Sequence, residues 1–148
     1  MDGLDYHFRD LGAAESNSDL YFTLGQRRSV VFVGDVVFNQ MHGFMNDGHS
    51  RQWLTVLAQL SAELRNVDTL FTGHGEPGNP TVLIDSQIDY VTTYRAQVSA
   101  LANGAKQLTN EQKEHLEQAL IQAYPKHQLS AFIQAGADSV AAEIAAEK

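Results

Sequence analysis

The sequence has no cysteine in its 148 residues, three prolines and a single tryptophan. Without cysteine there is no disulfide framework, no thiolate metal site and no cysteine nucleophile. Cations are also scarce. Lys and Arg number 10 against 18 Asp and Glu, so the net charge is −8 and the pI is about 5.0. A chain this acidic lacks the basic patches that nucleic acid or an anionic membrane surface requires. No apolar run approaches the ~18–20 residues of a membrane-spanning helix. The start, Met-Asp-Gly-Leu-Asp, has neither a basic region nor an apolar signal core. A cytoplasmic protein is expected. Hydrophobic residues at 43% and charged ones at 19% mark a globular chain rather than a disordered one. The length suits one domain able to bury roughly two-thirds of its unfolded surface.

Two short stretches organise what is there. Val30-Val-Phe-Val33 is a continuous apolar run, read as a strand buried on both faces, and it ends in Gly34-Asp35. Thr69-Leu-Phe-Thr72 repeats the design and ends in Gly73-His74-Gly75. A carboxylate beside so apolar a run is costly to bury unless it is hydrogen-bonded, paired or bound to metal. Open α/β sheets carry their ligand sites outside the carboxyl ends of the strands.

The remaining elements follow from periodicity. Leu4, Tyr6 and Phe8 alternate with Asp5, His7 and Arg9 in a half-exposed strand, residues 12–19 form a turn-rich loop, and Leu20–Leu24 form a second strand. Gly25 to Arg28 read as a hairpin connection into the central strand. Ser50 is placed to cap a helix with Trp53, Leu54, Leu57, Leu60 and Leu64 inward. The strand at 69–72 follows it, which makes a β-α-β crossover. Pro80 opens a helix carrying Ile84, Ile88, Val91, Val98 and Leu101, ending near Asn103-Gly104. Thr109-Asn-Glu-Gln112 is a capping box for a third helix, with Leu116, Leu120 and Ala123 inward and Pro125 as its stop. A fourth helix runs from about Leu129 with Phe132, Ile133, Val140 and Ile144 on one face and Gly136 as its weak point. The fold class is therefore α/β (α+β), a small mixed sheet of about four strands covered by helices, with extra helices at the C-terminus.

Asp35 has two readings: a turn carboxylate that caps nearby N–H groups, or a metal ligand. His74 strengthens the second, because adjacent parallel strands bring their C-terminal ends to one edge. Carboxylate oxygen with imidazole nitrogen suits zinc, iron or manganese. His42 and His49 flank the loop after Asp35 and read as polar loop residues, or as groups turned to the same edge. His7, His115 and His127 stand at exposed-looking positions, and Trp53, Tyr90 and Tyr94 read as core or interface.

Phe32-Val-Gly-Asp35-Val-Val-Phe-Asn, the loop and Ser50/Trp53/Leu54 helix after it, and Thr72-Gly-His74-Gly-Glu-Pro77 resemble the C-terminal half of the metallo-β-lactamase-fold hydrolases over about residues 4–104. Ala123-Tyr-Pro and the stretch from Phe132 to Ala142 also resemble the helical tail of some members. The resemblance implies half of an αββα sandwich at 1–104 and a helical extension at 105–148 packed on the same domain. In the family, the Asp after the strand bridges two metal ions and the His of Gly-His-Gly binds one. A further ligand, a His in a Gly-rich loop, aligns with residues 12–16, where this chain has Glu15. The implied metal ligands are Asp35, His74 and Glu15, around a weakly held zinc, or iron or manganese. The family's defining His-x-His-x-Asp-His run, which lies in its N-terminal half, is absent here.

The expected function is therefore a truncated family member without hydrolase activity on its own. It would serve as a homodimeric scaffold with a partial metal site. The rival is a metal-dependent hydrolase completed by a second chain, either its own copy or a separate N-terminal-half chain. Whole family members stack two αβ halves through their sheets. Here the helices at 50–65 and 82–103 can cover one sheet face, and the other would expose several hundred Å² of apolar surface. A homodimer through that open face is expected. The competing arrangement folds the helices after Thr109 back over it.

Overall fold

A computed structural model describes residues 3–25 and 30–147. The connection expected at 25–28 falls outside the described residues except for Gly25. Four strands, β1 (Tyr6–Gly12), β2 (Asp19–Leu24), β3 (Val30–Phe32) and β4 (Thr69–Phe71), form one sheet in the order β1-β2-β3-β4. β1 and β2 are antiparallel, as are β2 and β3, while β3 and β4 are parallel. The parallel pair is joined through α1 (Ser50–Leu64), which is the expected crossover. After β4 come α2 (Pro80–Ala102), α3 (Asn110–Ala123) and α4 (Ala131–Ala146).

Local chemistry sets the helix ends. Pro80 sits in the first turn of α2, where Asn79 Oδ1 accepts from Val82 N at 3.2 Å, and Asn103 closes the helix in the left-handed region at φ 45°. The capping box of α3 is complete, with Thr109 and Gln112 bonding reciprocally. The start of α1 differs from expectation. Ser50 lies inside the helix, and the orphan N–H groups of Ser50 and Arg51 are taken by the Glu143 carboxylate of α4 at 3.1 and 2.8 Å. A carboxylate at a helix N-terminus is favourable because the unsatisfied N–H groups carry partial positive charge. Ser50 Oγ also donates to Glu143 at 2.5 Å, and Arg95 donates to Ser50 Oγ at 2.5 Å and pairs with Glu147 at 2.8 Å.

One core joins the inner face of the sheet to the helices: Tyr21, Val31, Val33 and Leu70 with Trp53, Leu57, Leu60, Ile84, Tyr90, Val91 and Tyr94, all buried. Leu54, Ile88 and Leu101 are only partly buried, and Ala123 is exposed rather than inward. Gly136 is no weak point either. A side chain there would place its Cβ 2.5 Å from Met45 Cβ, so the glycine lets α4 close onto the loop before α1.

The opposite sheet face carries a row of rings. Phe8 pairs with Phe22, Phe22 with Phe32, and Phe32 with Phe71, one residue from each strand in a single register line. Their centroids are 5.5, 4.8 and 4.6 Å apart in turn, and Tyr6 lies 6.1 Å from Phe22. Phe8 remains 67% exposed and Leu20 49%. The helices after Thr109 do not cover this face; α3 and α4 pack on each other and on α2. Among the described residues, no helix is long and apolar enough to cross a membrane.

Candidate functional site

The sheet edge at the C-terminal ends of β3 and β4 is built by close backbone approach. After β3 the chain makes one 3-10 turn, Gly34–Val36, which turns Asp35 outward and Val36 into the core. Gly34 O accepts from Gly73 N at 2.7 Å, and Asn39 N donates to His74 O at 2.9 Å. The two loops therefore run side by side beyond the sheet. Gly73 is obligatory for that approach: a Cβ there would lie 1.9 Å from Asp35 Oδ1 and 2.8 Å from the Gly34 carbonyl carbon. Thr72 Oγ1 donates to His74 O at 3.0 Å, and the His74 ring lies 5.4 Å from Phe38, which is itself edge-on to Trp53.

The result is that Asp35 Oδ1 and His74 Nε2 lie 3.6 Å apart, with side chains 47% and 49% exposed. The structure thus brings together two of the three residues singled out from sequence. Two donors on one tetrahedral zinc, with bonds of about 2.0–2.2 Å, stand about 3.3–3.5 Å apart. The pair fits adjacent corners of a shared coordination shell.

Glu15 belongs to the same edge through its electrostatics. Its loop is pinned by Asp19, whose Oδ2 accepts from Ala14 N at 3.1 Å and Ser16 N at 2.9 Å. Burial raises the Glu15 carboxyl to about 7, with the negative charges of Asp35, Asp19 and Asp47 adding to the shift. Even so, among the described residues no three His, Cys, Asp or Glu side chains gather closely enough to hold a metal ion. His49 joins this side of the molecule through Nε2, 2.9 Å from Asn17 Oδ1.

His42 does neither of the things expected of it. It is 1% exposed and packs against Tyr90 and His127, with its Nδ1 3.1 Å from the Tyr90 hydroxyl. His127 is also misread as exposed: it is half-buried and stacks on Tyr90 with centroids 5.7 Å apart. No local pattern marks either one, because both stand in irregular segments and are buried by packing between them. His7 and His115 are exposed as expected, and Trp53, Tyr90 and Tyr94 are core.

No family model matches the chain, and no curated protein matches its sequence. Solved structures do match its fold. A metallo-β-lactamase from Pontibacter korlensis superposes with a TM-score of 0.55 at 15% identity, over 62% of this chain and 43% of that one. The crystal structures of VMB-1 and of the DIM-1 metallo-β-lactamase exposed to ceftazidime each superpose at 0.54 and 19% identity, over 63% of this chain and 42% of theirs. The chain spans less than half the length of these structures. Its fold is that of part of a metallo-β-lactamase domain, a four-stranded mixed sheet with four helices.

Proposed function

We propose that this chain is a metallo-β-lactamase-like half-domain acting as a homodimeric scaffold in the cytoplasm, without hydrolase activity by itself. Residues 105–148 serve as its helical extension. The observation that carries this reading is the open aromatic row Phe8–Phe22–Phe32–Phe71. With Tyr6, Leu20, Leu24 and Val30 it presents roughly 500 Å² of apolar surface, taking a whole aromatic side chain as about 200 Å². A standard interface buries ~800 Å² per partner, about 60% of it apolar, so this face supplies what one side of a stable dimer needs. A second copy offers the same flat, ring-lined surface in a two-fold, self-complementary arrangement. Sedimentation equilibrium at micromolar concentration tests it. Twice the 16.3 kDa of one chain is expected, and a monomer mass would end the proposal.

The scaffold keeps a partial metal site. Asp35 and His74 would hold the ion, with Glu15 as an outer partner, and zinc suits this donor set, with iron or manganese as alternatives. A bound ion of this kind would lower the pKa of its water towards neutrality. The 3.6 Å spacing of Asp35 and His74 favours a second reading: a metal-dependent hydrolase whose site is completed by another chain. The purified chain is expected to leave β-lactams, thioesters and phosphodiesters at background rates. A rate that vanishes both with chelator and in Asp35→Ala would establish the second reading in place of the first.

A further inference from the structure

Next to the loop after β4, two irregular segments are joined around the buried His42 and the half-buried His127. There Asn39 N donates to His74 O, and Gln40, Met41 and Gln128 line a cavity with Gly75 and Glu76. Gln128 N donates to Gln40 O at 3.0 Å, His42 N donates to Gln128 O at 2.8 Å, and Met41 and Gln128 form an isolated parallel bridge. Gln40 and Leu129, which flank this joint, have φ of 56° and 63°. Both are in the left-handed region, which is unfavourable for side chains of their size. Inside the joint the His42 and His127 rings are 5.4 Å apart, and His127 lies 4.9 Å from Tyr124. His42 Nε2 and His127 Nδ1 are both buried with no hydrogen-bond partner.

We propose that this joint is an acid-operated latch: protonation of His42 and His127 opens the contact between residues 40–45 and 124–130 while the sheet stays folded. A protonated His42 would carry an N–H at Nε2 with no acceptor, beside a second cation at His127. Opening gives both rings to water and relieves two strained backbone positions. The groups facing the pair do little to oppose this. From α2 come Tyr90, Asp89 and the cavity-lining Asp85, and Asp89 already accepts from Tyr124, the residue that follows α3, at 2.7 Å. Glu117 of α3 favours the His42 cation, but its carboxylate is engaged by the Gln134 amide of α4. Burial, followed by repulsion from His127, outweighs Glu117 and holds His42 down to about 4, and burial lowers His127 as well. Protons reach the joint through a surface cavity of about 360 Å³ lined by Asp85, Ser86, Asp89, Tyr124 and His127.

The size of the effect follows from linkage. With His42 at about 4 in the closed joint and 6.5 in the open one, the opening constant rises roughly 20-fold between pH 7 and pH 5 from His42 alone. Hydrogen exchange by mass spectrometry on the full chain, corrected for intrinsic rates, reads this directly. Peptides spanning 38–46 and 124–135 are expected to gain at least ten-fold in exchange at pH 5, while a peptide from α1 does not. His42→Phe, which keeps the ring volume, is expected to remove most of the gain. An equal gain in α1, or a full gain surviving in both His42→Phe and His127→Phe, would overturn the latch. If His42→Phe fails to fold, NMR titration of the native His42 ring decides: a pKa at or above 6 overturns the proposal, and one below 5 supports it.

Discussion

The two faces of the sheet are made from the same strands and from equally apolar residues, yet they have different fates. Tyr21, Thr23, Val31 and Leu70 point inward and are all less than 10% exposed, closed over by α1 and α2. Their immediate neighbours Phe22, Phe32 and Phe71 point outward into a ring row with Tyr6 and Phe8, at whose end Phe8 stands 67% exposed. Alternation along a strand assigns a residue to a face; it does not say whether anything covers that face. On the inner side burial contributes to the stability of one chain. On the outer side the same area is available to a partner.

A charge on each face separates the two roles, and the inner one has the largest effect expected anywhere in the molecule. Leu70→Asp would bury an unpaired carboxylate at a fully enclosed position and is expected to remove more than about 4 kcal/mol, leaving no cooperative unfolding transition. Phe22→Asp, one face away, is expected to keep the parent circular dichroism spectrum and lose the dimer mass in sedimentation. A Phe22→Asp protein that sediments like the parent would show that the ring row is not the interface.

The closed side should also be the one that fails in acid. The His42 ring is held neutral by burial, so its folded pKa of about 4 lies below the unfolded 6.5. The stability this confers is complete above pH 6.5. It declines as the unfolded chain takes up the proton, and it is gone once pH falls through 4. The expected loss is about 3 kcal/mol across that window, at 1.36 kcal/mol per pKa unit. Urea denaturation at pH 7, 5.5 and 4 measures it, and His42→Phe should flatten the profile by a similar amount.

The elements were legible in the sequence wherever one periodicity ran long enough. The α1 stripe, the Pro80 start, the Thr109–Gln112 box and the crossover that brings Asp35 beside His74 all follow from spacing and from the geometry of parallel strands. What escaped was created by contacts distant in the chain. Ser50 invites reading as a cap, but Glu143, 93 residues away, does the capping. The ring row requires a register between four strands that no single strand contains. Gly136 looks like a break in a helix until Met45 is placed against it. His42 and His127 lie in segments without period, and they are buried by packing on each other and on Tyr90 and Tyr124, residues distant from His42 in the chain.

The Glu143 contact gives a smaller effect on the closed side. Glu143→Ala frees two N–H groups at the start of α1 and is expected to cost about 1–2 kcal/mol, the usual worth of an N-cap. Arg95 retains Glu147, so Glu143→Gln, which can still accept, should recover part of the loss in thermal unfolding. If both variants melt like the parent, Glu143 is not what holds the α1 terminus.

The smallest effect belongs to the open edge. Asp35 and His74 are each about half-exposed, so a zinc ion held by them keeps much of its hydration and gains little from a low dielectric. Binding is expected to be weak also because a tight site needs further ligands and partners that fix their orientation. With a Kd of about 100 μM, 1 mM zinc stabilises the folded chain by roughly 1.4 kcal/mol. For a domain of this size that is a rise in Tm of about 3–6 °C. Asp35→Ala and His74→Ala should each abolish the rise, because either leaves a single donor at the edge. Glu15→Gln should reduce it only in part, because Glu15 acts on Asp35 through its field. Should Asp35→Ala and His74→Ala respond to zinc as the parent does, the ion binds elsewhere, and the 3.6 Å pair is a carboxylate–imidazole contact with no metal to hold.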